Sequence, residues 1–267
     1  IGLFLGDTDF SENVLNKIKK LKKKYFIIDF SKNSKFKKNK YSHRISIGKF
    51  GKILDLIKDK KSKKVLFAGK IVKPKFSSLR LDFKGIYYMP GVIKAAKKGD
   101  AAIIKAIIKI LNNEGIKVIS SISFNPELAL KSGNYTKLKP NNKDLASIKT
   151  GIKYFNKLND LDHVQALIVN ESKIVAKEGR EGTRKMLSKL KKKIKGMLIK
   201  FPKKQQDLRM DLPTIGLQTL KDCKRYGLKG IILKSKKNII LEKTKCIHFA
   251  NKNRIFIKVI WKKYLYL

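Results

Sequence analysis

The chain has 267 residues, 42% of them hydrophobic, which is enough for one or two domains with a full core. It carries 65 basic and 20 acidic residues, for a formal net charge of +45. Two Cys residues exclude a disulfide scaffold or a Cys-rich zinc site. We see no apolar run of about 18 residues and no signal-peptide pattern, so we expect a cytoplasmic protein.

The charge alone could indicate a nucleic-acid-binding protein, but its distribution argues against one. Arg accounts for seven of the 65 basic residues, which leaves 58 Lys, whereas base recognition favours Arg. Lys is spread along the chain without an interleaved aromatic motif. We therefore predict a solvated Lys surface with no specific nucleic-acid partner and a general attraction to anionic lipid.

The first half of the chain alternates predicted strands with predicted helices. The strands are 1–5, 25–30, 65–68 and 117–121. The helices are 12–23 with Ser11 as N-cap, 101–113 with Asp100 as N-cap and Gly115 at its end, and a short one from 125–127. This alternation predicts a parallel, Rossmann-like sheet with helices on its faces.

The second half predicts another α/β domain, with a mixed sheet. Residues 133–142 are polar and contain Pro140, so we place a linker there and expect domains at 1–135 and 140–267. The predicted helices are 145–158, 184–195 and 215–226, and the predicted strands are 164–169, 174–178, 197–200, 230–233, 239–241 and 255–260. Residues 170–173 and 235–238 are typical of hairpin turns.

Two glycine turns follow predicted strands and are candidates for phosphate binding. Gly6 ends the first strand before a helix, where backbone amides can bind phosphate. The full dinucleotide pattern is missing, so a plain strand-to-helix turn explains Gly6 nearly as well. Gly69-Lys70 lacks the spacing of a Walker A loop, and a surface turn is the alternative there.

Asp207 and Asp211 form a pair of carboxylates in a chain with few acids. At a spacing of four they lie on one side of a helix or of a strand. Their basic neighbours are Lys200, Lys203 and Arg209. Such a set can hold a divalent metal against a phosphate. Alternatively, Asp207 pairs with Lys203 or Arg209, and Asp211 caps the helix that Pro213-Thr214 predicts.

The turn from Glu178 to Thr183 contains two glycines that allow close backbone approach. We predict Thr183 as a helix N-cap. Glu181 could bind a metal or orient water, or only complement the helix dipole, and Glu178 is a weaker candidate. The tail 261–267 mixes aromatics, Leu and Lys, which suits a bilayer interface, core packing or dimer packing.

These motifs together resemble one enzyme family in their order along the chain. The segments that carry the resemblance are Ala68-Gly69-Lys70, Lys73-Pro74, Ser78-Leu79-Arg80, Gly99-Asp100, Glu181-Gly182-Thr183, Gln206-Asp207-Leu208-Arg209, Asp211-Leu212-Pro213-Thr214-Ile215-Gly216 and Gly230-Ile231. The chain is similar to the magnesium-dependent UDP-2,3-diacylglucosamine pyrophosphatases of lipid A biosynthesis, which are unrelated to calcineurin-like metallophosphoesterases.

The resemblance implies hydrolysis of UDP-2,3-diacylglucosamine to UMP and 2,3-diacylglucosamine 1-phosphate (lipid X), with water attacking the α-phosphorus. It implies Mg²⁺ as cofactor, a homodimer, and peripheral association with the inner face of the cytoplasmic membrane. The catalytic candidates are Asp211 and Asp207, and the metal ligands are these two with Glu181. The implied substrate-binding residues are Lys200, Lys203, Gln206, Arg209, Thr214, Thr183, Gly6, Gly69 and Lys70.

Two other function classes stay open from the sequence. One is a nucleotide-binding or nucleic-acid-binding protein without hydrolase activity, suggested by the charge. The other is a nucleotide-sugar oxidoreductase or transferase, suggested by the first strand and Gly6. The incomplete glycine pattern argues against the NAD binding that an oxidoreductase needs.

Overall fold

A computed structural model of the chain describes residues 1–159, 164–179, 181–190, 194–204 and 206–261. The chain forms two compact units. The N-terminal unit comprises Ile1–Pro126 and Asp207–Asp211, and the C-terminal unit comprises Glu127–Gln206 and Leu212–Leu267. The chain thus first passes from one unit to the other after Pro126, ahead of the linker predicted near 135–140. Five residues of the second half of the chain, 207–211, belong to the N-terminal unit.

The N-terminal unit contains the parallel sheet that the sequence predicts. Its strands are β1 (Gly2–Leu5), β2 (Phe26–Asp29), β3 (Ser42–His43), β4 (Lys64–Ala68) and β5 (Lys117–Ile119). They lie in the order β3-β2-β1-β4-β5, and all four neighbouring pairs are parallel. In such a sheet the strand order reverses between β1 and β4, and ligands bind beyond the carboxyl ends of the strands at that point.

Four helices belong to the N-terminal unit: α1 (Asp9–Lys20), α2 (Phe50–Asp59), α3 (Phe83–Lys97) and α4 (Asp100–Asn113). The sequence predicts α1 and α4 and misses the other two. Ser11 is not the N-cap of α1. It lies buried inside the helix, and its Oγ donates to the carbonyl oxygens of Gly6 at 2.7 Å and Ala68 at 2.9 Å.

The start of α4 also differs from the prediction by one residue. Gly99, with φ of 107°, holds the N-cap position, and Asp100 is the first helical residue without a capping hydrogen bond. A positive φ is accessible to glycine at little cost, which explains why the chain turns there. Gly115, with φ of 75°, follows the helix as predicted.

The C-terminal unit contains the predicted mixed sheet. Its strands are β6 (Gly133–Asn134), β7 (Ala166–Asn170), β8 (Lys173–Lys177), β9 (Met197–Lys200), β11 (Gly230–Lys234) and β13 (Phe256–Ile260). Their order is β6-β13-β11-β9-β7-β8, with β13, β11 and β9 parallel and the other neighbours antiparallel. Part of the predicted linker is therefore the edge strand β6.

One of the two predicted hairpins exists. Glu171 and Ser172, both with positive φ, connect β7 to β8 as an antiparallel pair. The prediction of a hairpin at 235–238 is wrong. The strand that follows it, β12 (Ile239–Ile240), pairs in parallel with β10 (Thr214–Ile215).

The described residues of the C-terminal unit form four α-helices: α5 (Asn142–Lys157), α6 (Thr183–Ser188), α7 (Leu217–Arg225) and α8 (Lys243–Lys252). A capping box of Asn141 and Asp144 starts α5. Gly182, with φ of 87°, is the N-cap of α6, so the prediction of Thr183 as cap is wrong by one residue. Residues 191–193 of the predicted helix 184–195, and 262–267 of the tail, lie outside the described residues.

Candidate active site

Asp207 is held by Arg209 in the N-terminal unit. The Nε of Arg209 donates to Oδ1 of Asp207 at 2.9 Å, its second guanidinium nitrogen reaches Oδ2 at 2.6 Å, and its backbone amide donates to Oδ1 at 3.0 Å. These hydrogen bonds from Arg209 hold the pKa of Asp207 below its ordinary value. Asp207 is thus a poor proton acceptor, and Arg209 is the partner that the sequence left open.

Asp211 has a different environment from Asp207. Its backbone amide donates to the carbonyl oxygen of Asp207 at 3.0 Å, and its side chain is exposed. Met210 packs against the apolar core of the N-terminal unit, which fixes the segment. Because α7 begins only at Leu217, Asp211 does not cap that helix. The structure instead places Asp211 at the rim of a cavity.

This cavity has a volume of about 470 Å³, within the range of small-molecule sites. Its wall is mainly apolar and comes from the carboxyl ends of β1, β2 and β4, from the loop after β4, and from α3 and α4. Representative lining residues are Phe4, Phe30, Phe67, Tyr88, Met89 and Ile104. Four charged residues also line it: Lys70, Lys73, Asp100 and Asp211. An apolar cavity with charges of both signs suits an amphipathic ligand with an anionic group.

Gly69 and Lys70 stand at this cavity, at the point where the strand order reverses, and Gly6 lies beside them. A Cβ on Gly6 would come within 2.2 Å of the carbonyl oxygen of Lys70, and one on Gly69 within 2.0 Å of Ser11 Oγ. The amides of Gly6 and Asp7 donate to the carbonyl oxygens of Ala68 and Lys70. Close packing of two turns therefore explains Gly6, and phosphate binding by its amide stays a prediction.

A second cluster of polar side chains lies in the C-terminal unit, at the carboxyl end of β9. The ammonium of Lys200 donates to Thr183 Oγ1 at 3.2 Å, and Thr183 donates to Oε1 of Glu178 at 3.0 Å. Glu178 is buried, and its Oε2 has no hydrogen-bond partner among the described residues. A buried carboxylate oxygen without a partner is costly, and such groups are often found where a ligand or water binds.

Glu181 does not share this environment. Its carboxylate lies at the surface and accepts from Lys189 Nζ at 2.7 Å, which lowers the pKa of Glu181. Of the two glutamates in this turn, the one inside the unit is therefore Glu178, the weaker candidate in the sequence. The described residues contain no group of three or more His, Cys, Asp or Glu side chains suited to a metal ion.

Gln206 and Lys203 belong to a turn of the C-terminal unit. Oε1 of Gln206 accepts from Gln165 Nε2 at 2.8 Å and from the Lys203 amide at 3.0 Å. Within the part of the chain that the structure describes, the buried Nε2 of Gln206 has no hydrogen-bond partner. Thr214 lies in β10 and donates to the carbonyl oxygen of Leu212.

Lys203 also lines a cavity of about 230 Å³ with Lys204, Lys234, Lys237 and Phe201. The ammonium of Lys234 lies 5.7 Å from the centre of the Phe201 ring. Four lysines that line one cavity can attract an anion.

Comparison with known proteins decides the family. Residues 1–128 match the family model described as the LpxI N-terminal domain, and residues 131–258 match the LpxI C-terminal domain. The chain is also 31% identical over 223 residues to the UDP-2,3-diacylglucosamine pyrophosphatase LpxI of Caulobacter vibrioides, with 80% of each chain covered. The chain belongs to the LpxI family. The resemblance read from the ordered motifs is thereby confirmed.

Two features of this LpxI-family chain were missed by the sequence reasoning. The apolar cavity is built partly by α3, whose Gly85, Pro90 and Gly91 mask a helical pattern. The second feature is Glu178, which is buried and is linked to Lys200 by two hydrogen bonds through Thr183. The sequence carries no local signal for the burial of Glu178, because Glu178 and Glu181 lie in the same turn.

Proposed function

We propose that this protein hydrolyses the pyrophosphate bond of UDP-2,3-diacylglucosamine to UMP and 2,3-diacylglucosamine 1-phosphate, a step of lipid A biosynthesis. The observation that carries the proposal is the mainly apolar cavity with Asp211 at its rim, in a chain of the LpxI family. The acyl chains of the substrate are apolar and its pyrophosphate is anionic, and the cavity offers a surface for each.

The paired carboxylates divide their roles in this proposal. Asp211 acts on the attacking water, because its exposed carboxylate lies at the cavity rim. Asp207 holds Arg209 and shapes the segment, because both of its oxygens are already bonded by that guanidinium. General-base catalysis of this kind contributes about 10²–10⁴-fold to a rate.

The cations neutralise the phosphate oxygens as negative charge develops on them. In the N-terminal unit this role falls to Lys70 and Lys73, which line the cavity. In the C-terminal unit, Lys200, which Thr183 and Glu178 orient, and Lys203 stay predicted substrate-binding residues. Because the turn before α6 sets the position of Thr183, it also sets the position of the Lys200 ammonium.

Magnesium dependence is part of the proposal. Mg²⁺ is usually held by one or two carboxylates together with water and substrate phosphates, so a preassembled cluster of protein ligands is not required. Asp211 lines the cavity and fits such a role, and the other two implied ligands, Asp207 and Glu181, form ion pairs with Arg209 and Lys189. Bound to the pyrophosphate, the metal would polarise it and offset its charge.

Homodimer formation and peripheral association with the inner face of the cytoplasmic membrane complete the proposal. Among the described residues, no helix combines the length and the apolar character needed to cross a bilayer. Attachment to lipid through surface residues is compatible with that result. Light scattering of the purified protein measures its mass in solution, and flotation with vesicles measures its attachment.

The reaction can be tested directly. Purified protein is incubated with detergent-dispersed UDP-2,3-diacylglucosamine and MgCl₂ in H₂¹⁸O, and UMP is followed by chromatography and mass spectrometry. We expect UMP and lipid X in equal amounts, and no turnover after EDTA is added. Absence of UMP at enzyme concentrations that exhaust the substrate for the Caulobacter relative would refute the proposal. One ¹⁸O in UMP supports attack at the α-phosphorus, whereas ¹⁸O in lipid X places attack at the β-phosphorus.

A further inference from the structure

One side of α3 exposes three large apolar residues. Phe83, Ile86 and Tyr87 have relative exposures of 88%, 61% and 75%. Their spacing of three and four residues places them on one side of the helix, which we call the outer face. Contiguous exposed groups of this size are uncommon on soluble proteins and mark sites of contact.

The opposite side of α3 is also apolar, because it faces the cavity. Tyr88, Met89 and Val92 line that cavity, and Gly85 packs closely within the unit. The helix therefore has an inner face that lines the proposed acyl-chain site and an outer face in solvent. A helix that serves only to close a cavity needs only the first of these.

The outer face is held in a fixed orientation. Oδ1 of Asp82 accepts from the amide of Gly85 at 2.8 Å at the start of α3. Lys84 and Tyr88, one turn apart on α3, both donate hydrogen bonds to the carboxylate of Glu114, at distances of 2.7–3.1 Å. These contacts keep α3 from rotating to bury Phe83 and Tyr87.

The charge around the outer face points to the partner. Lys94 and Lys97 are exposed and follow Phe83 by 11 and 14 residues, which places both on the outer face of α3. The one acid in residues 81–98 is Asp82, whose carboxylate accepts hydrogen bonds from backbone amides. Two copies of this surface would repel each other. An anionic lipid surface complements both the cations and the apolar side chains.

We propose that the outer face of α3 inserts Phe83, Ile86 and Tyr87 into the headgroup region of an anionic bilayer. This inference rests on the proposed function, since it identifies the surface by which the enzyme reaches a lipid substrate. The same helix then contacts the bilayer on one side and the acyl-chain cavity on the other. The helix lies in the membrane plane, as cationic amphipathic helices do.

The test compares two triple variants on vesicles. In the first, Phe83→Gln, Ile86→Gln and Tyr87→Gln replace the apolar groups while keeping good helix formers in place. In the second, Phe83→Leu, Ile86→Leu and Tyr87→Phe keep the face apolar. Binding is measured by co-sedimentation with vesicles of 30% phosphatidylglycerol in phosphatidylcholine, and with pure phosphatidylcholine. We expect the first variant to bind the anionic vesicles at least about tenfold more weakly than wild type and the second to bind like wild type.

A matched control and an activity assay separate the outcomes. Leu21→Gln with Leu138→Gln removes two apolar groups of 43% and 37% exposure elsewhere on the chain and should leave binding unchanged. UMP release from detergent-dispersed substrate should be the same in all variants, and only release from vesicle-embedded substrate should fall. If wild type releases no UMP from either form of the substrate, the proposed function is refuted, and not the membrane proposal.

Three results would overturn the membrane proposal. The first is unchanged vesicle binding by the glutamine variant. The second is a change in its mass by light scattering with no change in vesicle binding, which would make the outer face a contact between copies. The third is equal loss of binding in the control variant. If the triple variant does not fold, Phe83→Gln alone decides, since a side chain 88% exposed contributes little to the fold.

Discussion

The guanidinium of Arg209 binds both carboxylate oxygens of Asp207, two residues before it in the chain, while Asp211 lies at the cavity rim. Asp207 and Asp211 are each two residues from Arg209 in the sequence, and yet their carboxylates have different environments. The bidentate pair is geometrically specific and stronger than a neutral hydrogen bond.

We expect Asp211→Ala to lower kcat by at least about 10²-fold, because it removes the proposed proton acceptor. The melting temperature should stay near that of wild type, since the side chain is exposed. Asp207→Ala should show the reverse balance, with a lower melting temperature and a smaller loss of kcat. UMP release and thermal unfolding of both variants measure this. Normal turnover by Asp211→Ala would exclude it as the catalytic residue.

We expect Thr183→Val to raise KM and to destabilise the C-terminal unit by about 1–3 kcal/mol, because it leaves Oε1 of the buried Glu178 without its donor and removes the bond to Lys200. Thr183→Ser keeps the hydroxyl and should restore both properties. Steady-state kinetics and urea unfolding give the two readouts. Equal behaviour of the Val and Ser variants would show that the hydroxyl has no such role.

We expect Val92→Phe to narrow the apolar cavity and to raise KM for long-chain substrates by about tenfold relative to short-chain ones. The reason is steric, since α3 directs Val92 toward the cavity. Val175→Phe, on an exposed position of β8, is the matched control. A similar change of KM for every chain length would indicate that the acyl chains bind elsewhere.

We expect stability to depend on pH through Asp82. Burial alone would raise the pKa of this group, but hydrogen bonds from the amides of Gly51, Gly85 and Lys52 and the charge of Lys49 outweigh it and lower the pKa. The contribution is therefore complete above the ordinary Asp pKa of 3.8 and is lost as pH falls through the lower folded-state value.

The measurement is thermal unfolding of wild type and Asp82→Ala at pH 7 and near pH 3. At pH 7 the variant should lose about 1–2 kcal/mol, because the carboxylate accepts bonds from the first turns of both α2 and α3. The difference should shrink at the lower pH. A constant difference across the range would show that the charge of Asp82 adds nothing to its capping.

Four strands of the N-terminal sheet, β1, β2, β4 and β5, could be predicted because they are short apolar runs separated by helical patterns. The sequence does not predict β3, which consists of Ser42 and His43 and has no apolar run. The starts of α4 and α6 could not be placed to the residue. In both, a polar residue suited to capping, Asp100 or Thr183, follows a glycine with positive φ that takes the cap position instead. Propensity favours the polar residue, but backbone geometry selects the glycine.

The candidate site was predicted as a set of residues but not as an arrangement. Local patterns do not reveal which unit an irregular segment packs against, and residues 207–211 only alternate charged and apolar side chains, of which Met210 contacts the N-terminal core. Nor does the sequence distinguish Glu178 from Glu181, since both lie in the same turn. Their difference comes from tertiary packing, which buries one and exposes the other.

The return of Asp207–Asp211 to the N-terminal unit means that the backbone passes from one unit to the other three times. A chimaera could take residues 1–126 from one homologue and all later residues from another. The pentapeptide 207–211 and the N-terminal core it packs against would then come from different proteins. Met210 would then meet a core to which it was not matched. The two halves should therefore be inherited together, and successful chimaeras should need residues 207–211 to be exchanged along with the first half.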